Sequence, residues 1–160
     1  MSNNPMAAGR RAFLGQTAFG AVTLLGGHAA AEIQPAITVW KDPDCGCCGK
    51  WVDHLRRNGF IATVFDTSDV RSVKARLGVP AELASCHTAE IAGYAIEGHV
   101  PAQAILRLLA QKPAGRGLAV PGMPIGSPGM EGGAPQPYDV VLFGNGAPSR
   151  FARFIGDRPA

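Results

Sequence analysis

The chain has 160 residues, 46% of them apolar, and carries 15 Lys and Arg against 12 Asp and Glu. Most of that excess lies in the first 31 residues, which hold Arg10 and Arg11 and no acid, so the remaining chain balances 13 against 12. No basic run is left to track a phosphate backbone, which argues against a nucleic-acid partner, and a chain of this length builds about one domain around a single core.

The first stretch, GRRAFLGQTAFGAVTLLGGHAAAE, sets the pair Arg10-Arg11 before Phe13-Leu14, a modest apolar run to Leu25 and small residues at Ala29, Ala30 and Ala31. Basic, apolar and small segments in that order predict an export signal of the twin-arginine type over residues 1–31. The apolar run is too short, and too rich in Gly, Thr and Gln, to cross about 30 Å of hydrocarbon, which needs roughly 20 apolar residues. The expectation is a periplasmic protein exported by the twin-arginine route, with one domain over residues 32–160 and no stable membrane insertion after cleavage.

AITVW (36–40) is a β-branched run that predicts a first strand and leads directly into a cysteine loop. Trp51, Val52 and Leu55 then recur at helical spacing until Asn58-Gly59. FIATVFDT (60–67) reads as a second strand, and Ser68 or Asp69 caps a second helix with Val70, Val73 and Leu77 on one face and Gly78 at its end. CHTAEIAGYAIEG (86–98) reads as extended chain folded back near Ala92-Gly93. Pro101 opens a third helix with Ala102, Ile105, Leu106 and Leu109 on one face. YDVVLFG (138–144) predicts a buried strand and SRFARF (149–154) an edge strand, while the Gly/Pro-dense residues 117–138 exclude regular helix and central strand. A loop that long in a compact domain is either functional or disordered. The order predicts an α/β fold, a central mixed sheet flanked by helices, and a CxxC pair (Cys45, Cys48) at a strand-to-helix junction makes it thioredoxin-like.

The loop DPDCGCCGK concentrates the chemistry. A dithiol oxidoreductase needs one attacking and one resolving sulfur, and Cys47, wedged between Cys45 and Cys48, competes in that exchange. For a soft metal the third thiol is an asset, and Gly46 lets the backbone turn closely around an ion. Cys86 and His87 bring the inventory to four sulfurs and an imidazole, enough for tetrahedral zinc or for one or more cuprous ions. Two structural disulfides are the third reading for an exported chain with an even cysteine count. Beyond Met1 and Met6 the methionines are Met123 and Met130, both in the Gly/Pro-rich loop. Thioethers suit Cu(I) far better than zinc, and the competing role for these two is to plug the loop onto the core. His54 reads as a surface or half-buried residue of the first helix, His99 as a turn or helix-start residue, and Asp42 or Asp44 as caps of the cysteine-bearing helix.

Four blocks in order, DPDCGCCGKWVDHL, GVPAELASCHTAEIAGYAIEGHVP, GLAVPGMPIGSPGMEG and YDVVLF, closely resemble the CopG-type copper-resistance proteins of bacteria, many of them catalogued as a domain of unknown function. The resemblance runs from about Ala36 to Phe143. It implies a periplasmic, thioredoxin-like domain that binds copper through its cysteines as a multinuclear sulfur-bridged cluster, serving copper detoxification or copper redox chemistry. By position the implied thiols are Cys45, Cys47, Cys48 and Cys86, while His87, Met123 and Met130 fall in matching blocks as candidate ligands or groups behind them. The resulting expectation is thiolate capture of Cu(I), with zinc less favoured and other periplasmic copper-handling proteins as exchange partners. A binding protein is expected before an enzyme, and a thiol-disulfide oxidoreductase using Cys45 and Cys48 is the alternative.

Overall fold

A computed structural model of the chain describes residues 34–160; the segment expected to be an export signal lies outside the described residues. In chain order the elements are β1 (Ala36–Lys41), α1 (Gly46–Arg57), β2 (Ile61–Asp66), α2 (Val70–Leu77), a 3-10 turn (Ala81–Leu83), β3 (His87–Ile91), β4 (Tyr94–Glu97), α3 (Ala102–Gln111), β5 (Gly117–Ala119), β6 (Pro137–Phe143), β7 (Ser149–Ile155) and β8 (Arg158–Pro159). The eight strands form one open mixed sheet in the order β2-β1-β3-β4-β5-β6-β7-β8. The β1–β2 and β4–β5 pairs are parallel, joined through α1 and α3, and the rest are antiparallel.

Local chemistry accounts for most boundaries. The Asp69 carboxylate accepts the Ser72 amide at 3.1 Å and so caps α2, and Gly78 ends that helix in the left-handed conformation that glycine adopts without strain. Ala92 and Gly93, both at positive φ, make the tight turn between β3 and β4. Alternation puts Ile37 and Val39 of β1 into the main core with Trp51 and Leu55 of α1, Ile105 and Leu108 of α3, and Ile96, Leu118 and Val140 of the later strands. Trp40, next after Val39 and so on the other face of the strand, lies under the Arg76 guanidinium of α2, whose carbon is 5.0 Å from the ring centre.

The structure departs from the sequence expectation in three places. The Gly/Pro-rich stretch begins with a strand in the interior of the sheet, β5, so that the loop proper is residues 120–136. Glycine is what makes this strand fit: a Cβ on Gly117 would collide with the Ala95 carbonyl oxygen of β4. On α3 the buried arc is centred between Ile105 and Leu108 and takes in Ala104, which leaves Leu106 43% exposed. And β7 is not the edge strand, because β8 pairs outside it.

Pairing register decides what meets at the end of the sheet. Antiparallel pairing sets Lys41 of β1 opposite His87 of β3 and Thr88 opposite Glu97 of β4. Cys86, Gly98 and His99 therefore emerge at the same sheet end as the start of α1.

Candidate metal centre

Cys45 is the residue just before α1, and Cys47 and Cys48 lie in its first turn. No side chain caps this helix: the Asp42 carboxylate accepts the Asp44 amide at 2.9 Å, holding the turn, and neither acid reaches the helix amides. This corrects the expectation of an acidic cap: no carboxylate stands in the first turn beside Cys47 and Cys48. Gly46 faces open space, so the turn does not depend on glycine for room.

The Asp42 amide donates to the Cys86 carbonyl at 3.3 Å, which brings Cys86 alongside the loop. Its Sγ lies 3.0 Å from Cys45 Sγ, 3.2 Å from Cys48 Sγ and 4.0 Å from Cys47 Sγ, and Cys45 and Cys47 are 3.5 Å apart. All four sulfurs sit within 4.8 Å of one another. Cys45 and Cys48 are joined as a disulfide, and Cys47 and Cys86 are free thiols. Cys48 is buried while the other three are half-exposed, so the cluster has a solvent side.

Burial, followed by the nearby Cys47, pushes the Cys86 thiol up to about 11. This thiol is therefore protonated at neutral pH. The residues either side of it are held firmly. Glu97, fully buried, accepts from Lys74 Nζ at 2.7 Å and from both the amide and hydroxyl of Ser85, while Lys74 also donates to the His87 carbonyl at 2.7 Å. A cleft of about 400 Å³ lined by Asp42, Asp69, Lys74, Ser85 and Cys86 among others opens on this side of the cluster.

His87 lies behind Cys86, fully buried, with its ring 4.4 Å from that of Trp51 and its Nε2 3.0 Å from the Gly98 carbonyl oxygen. Burial, reinforced by His99 and Lys74, depresses its pKa to about 3, so the ring is neutral. His99 is fully buried too, 5.2 Å from His87 between ring centres, with Nδ1 2.7 Å from the Pro128 carbonyl oxygen. The sequence reading placed His99 at a turn and missed this setting, because its partner lies 29 residues ahead in a segment with no periodic signal. His54, expected near the surface, is buried, and its Nε2 accepts the Ala102 amide at 3.0 Å, closing the start of α3.

The 120–136 loop reaches the cluster at Gly129. At φ +89°, a Cβ there would lie 2.9 Å from the Cys47 carbonyl oxygen and 2.9 Å from the Trp51 nitrogen, so the loop backbone rests on the first turn of α1. Met130, next in the chain, is half-buried; Met123 is 37% exposed on the outer part of the loop.

Residues 83–130, which include Cys86, His87, His99 and both loop methionines, match the family model described as "Protein of unknown function, DUF411". No curated protein sequence matches the chain. Among solved structures, the chain is similar to one described as copper resistance protein CopG, form 1, at 48% identity and TM-score 0.70, covering 77% of this chain and 99% of that one. It is likewise similar to form 2 of the same description, at 49% identity and TM-score 0.69, covering 75% of this chain and 98% of that one.

Proposed function

The chain belongs to the CopG family of copper resistance proteins, and from that membership we propose that it is a periplasmic protein that captures Cu(I) through thiolates in copper resistance. The observation that carries the reading is the convergence of four sulfurs from two segments 38 to 41 residues apart. Soft thiolates select Cu(I) over oxygen-seeking cations, and closely spaced sulfurs can each bridge two ions, which favours a multinuclear cluster. Zinc suits four thiolates as well; the likeness to copper resistance proteins supports copper.

Capture starts at the first turn of α1, which carries Cys47 and Cys48 beside Cys45. Cys86 closes the site from the end of β3 and gives up its proton to the incoming ion, so uptake releases protons. The 120–136 loop, seated on the same turn, carries Met123 and Met130 as thioether ligands or as cover for the cluster, and His87 backs Cys86. All four sulfurs are available only when the Cys45–Cys48 bridge is reduced. The CxxC pair at the β1–α1 junction and the order β-α-β-α-β-β-α support reading residues 36–111 as a thioredoxin-like core extended by β5 to β8. Residues 1–31 are the twin-arginine signal in this account, residues 32–160 the mature domain, and the exchange partners are other periplasmic copper-handling proteins. No helix among the described residues is long and apolar enough to cross a membrane.

Anaerobic Cu(I) titration of the reduced protein against a chromogenic chelator, beside Cys86→Ser, tests the reading. One or more copper ions per chain, lost or strongly weakened in the variant, supports it; no competitive uptake by the reduced protein refutes it.

One observation favours a second reading. Cys45 and Cys48 are bonded, with a free thiol at Cys86 3.0 Å from Cys45, an arrangement suited to thiol-disulfide exchange. An oxidoreductase of this kind would turn over a disulfide substrate with Cys45 and Cys48 alone and keep that activity in Cys86→Ser.

A further inference from the structure

Among the described residues no strand pairs outside β2, which ends the sheet beyond β1. The Ile61 amide donates to the Pro35 carbonyl at 3.0 Å, and the Thr67 amide, just past the strand, to the Lys41 carbonyl at 2.9 Å. The odd-numbered residues of β2 thus direct their backbone groups at β1, and those of Ala62, Val64 and Asp66 point outward. The Ala62 carbonyl bears this out, since it accepts from the exposed Arg56 guanidinium at 3.3 Å. The side chains are open as well. Register puts Ile61 beside Ala36, Thr63 beside Thr38 and Phe65 beside Trp40, on the face away from the main core. There Ile61 is 54% and Phe65 50% exposed, and Phe65 stacks on Trp40 with 6.1 Å between ring centres. Edge strands are usually kept from pairing by a lysine, a proline or a bulge, and the run IATVFD, in unbroken register with β1, has none of these.

We propose that this edge is the interface of a homodimer, in which a second copy of the chain adds its own β2 antiparallel about a two-fold axis through Thr63. The strand itself selects this partner, because it is complementary to its own reverse. An axis at Thr63 sets Ala62 opposite Val64 of the second copy. Both carry outward backbone groups, so each such pair exchanges its two hydrogen bonds. On the exposed face the same axis sets Ile61 opposite Phe65 of the second copy, in the closer, non-hydrogen-bonded kind of pair, where an aliphatic and an aromatic side chain cover each other. On the α1 face it brings the start of one strand, where the Arg56 guanidinium lies, beside the end of the other, where the Asp66 carboxylate, held by Lys41 at 2.7 Å, is 59% exposed. These opposite charges meet twice, once on each side of the axis. Arg56 then turns from the Ala62 carbonyl to the carboxylate of the second copy, which frees the carbonyl for the incoming amide. A groove of about 210 Å³ on that face, between Val52 of α1 and Val64, leaves room for Ala62 of the second copy. One patch that satisfies itself in backbone, apolar and charged contacts is what a two-fold dimer requires.

Residue 63 faces its own copy across the axis, and the test uses this. Sedimentation equilibrium with the thiols kept reduced is run up to about 100 μM, where a dimer of micromolar Kd is almost fully formed. The samples are the unaltered protein, Thr63→Lys, Thr63→Glu and an equimolar mixture of the two variants. The expected result is a dimer for the unaltered protein, a monomer for each variant alone, because like charges oppose each other at the axis, and a dimer again for the mixture. A monomeric unaltered protein overturns the proposal and leaves the edge to the Arg56 guard or to a strand of another protein. A dimer that both variants keep, or a mixture that stays monomeric, overturns it as well, since residue 63 then does not lie at the axis. Should either variant unfold, as circular dichroism would show, Phe65→Lys at an exposed position decides. Monomer in that variant upholds the interface, and an unchanged dimer ends it.

Discussion

The sulfur of Cys86 lies 3.0 Å from that of Cys45, across 41 residues of sequence. Only the pairing of β3 with β1 brings these two together, so the cluster is a product of the sheet and not of the CxCC loop alone. Cys86→Ser is thus expected to leave the three loop thiols in place yet reduce copper uptake by at least one ion per chain. Replacement of a half-buried thiol by a hydroxyl of similar size should cost no more than about 1–2 kcal/mol in stability. Chelator competition and urea unfolding on the same variant separate the two effects.

Lys74 and Glu97 form a buried ion pair at 2.7 Å, and both hold the chain beside Cys86. Removing one partner leaves the other charge buried without compensation, which typically costs about 3–5 kcal/mol. Lys74→Met is therefore expected to lower unfolding stability by about that amount, and Lys74→Met/Glu97→Met to recover part of it, limited by the Ser85 donors that lose their acceptor. Recovery in denaturant midpoints without recovery of copper affinity would mean that the pair's main work is to position Cys86.

What the sequence carried well and what it carried badly differ in range. Asp69 as a cap and Gly78 as a stop act within a few residues of themselves, and the cysteines announce themselves by type and spacing, so these were legible. Strand β5 was not, because three residues in a Gly/Pro-rich setting have no periodicity; it exists through pairing with β4 and β6 and through the close approach that Gly117 permits. His54 and His99 were misjudged for the same reason. Their polar partners, Ala102 and Pro128, lie 48 and 29 residues away, and nothing local marks a histidine that is buried to cap another helix or to face a loop carbonyl. Asp42 failed in the opposite sense: it resembles a cap, but its own turn takes up the carboxylate.

Acid should destabilise the fold through its histidines. The His87 pKa is depressed from 6.5 to about 3, and burial also lowers those of His54 and His99. The unfolded chain therefore binds protons below about pH 6.5 that the folded chain refuses. Stability is fully present above that value and is lost as pH falls toward 3, at up to about 1.4 kcal/mol per pH unit for each such group. Urea midpoints measured between pH 7 and pH 4 should fall, and His87→Leu should reduce the slope even though it also lowers stability at pH 7. An unchanged slope in the variant would mean that His87 is already protonated, or hydrated, in the folded protein.

Gly129 joins the loop to the metal centre, and its substitution tests whether that junction matters. Alanine there must adopt a left-handed φ of +89° and push its Cβ against the Cys47 carbonyl oxygen and the Trp51 nitrogen, both backbone atoms that cannot swing aside. The loop must lift, which breaks the contact of Pro128 with His99. Gly129→Ala is expected to cost about 1–3 kcal/mol and to weaken copper retention. Gly132→Ala, at φ +142° with open space around its Cβ, should carry backbone strain alone. Copper loss in the first variant and not in the second would show that the loop acts through its seat on α1. Equal loss in both would reduce the effect to strain in the loop and leave His99 without need of its Pro128 contact.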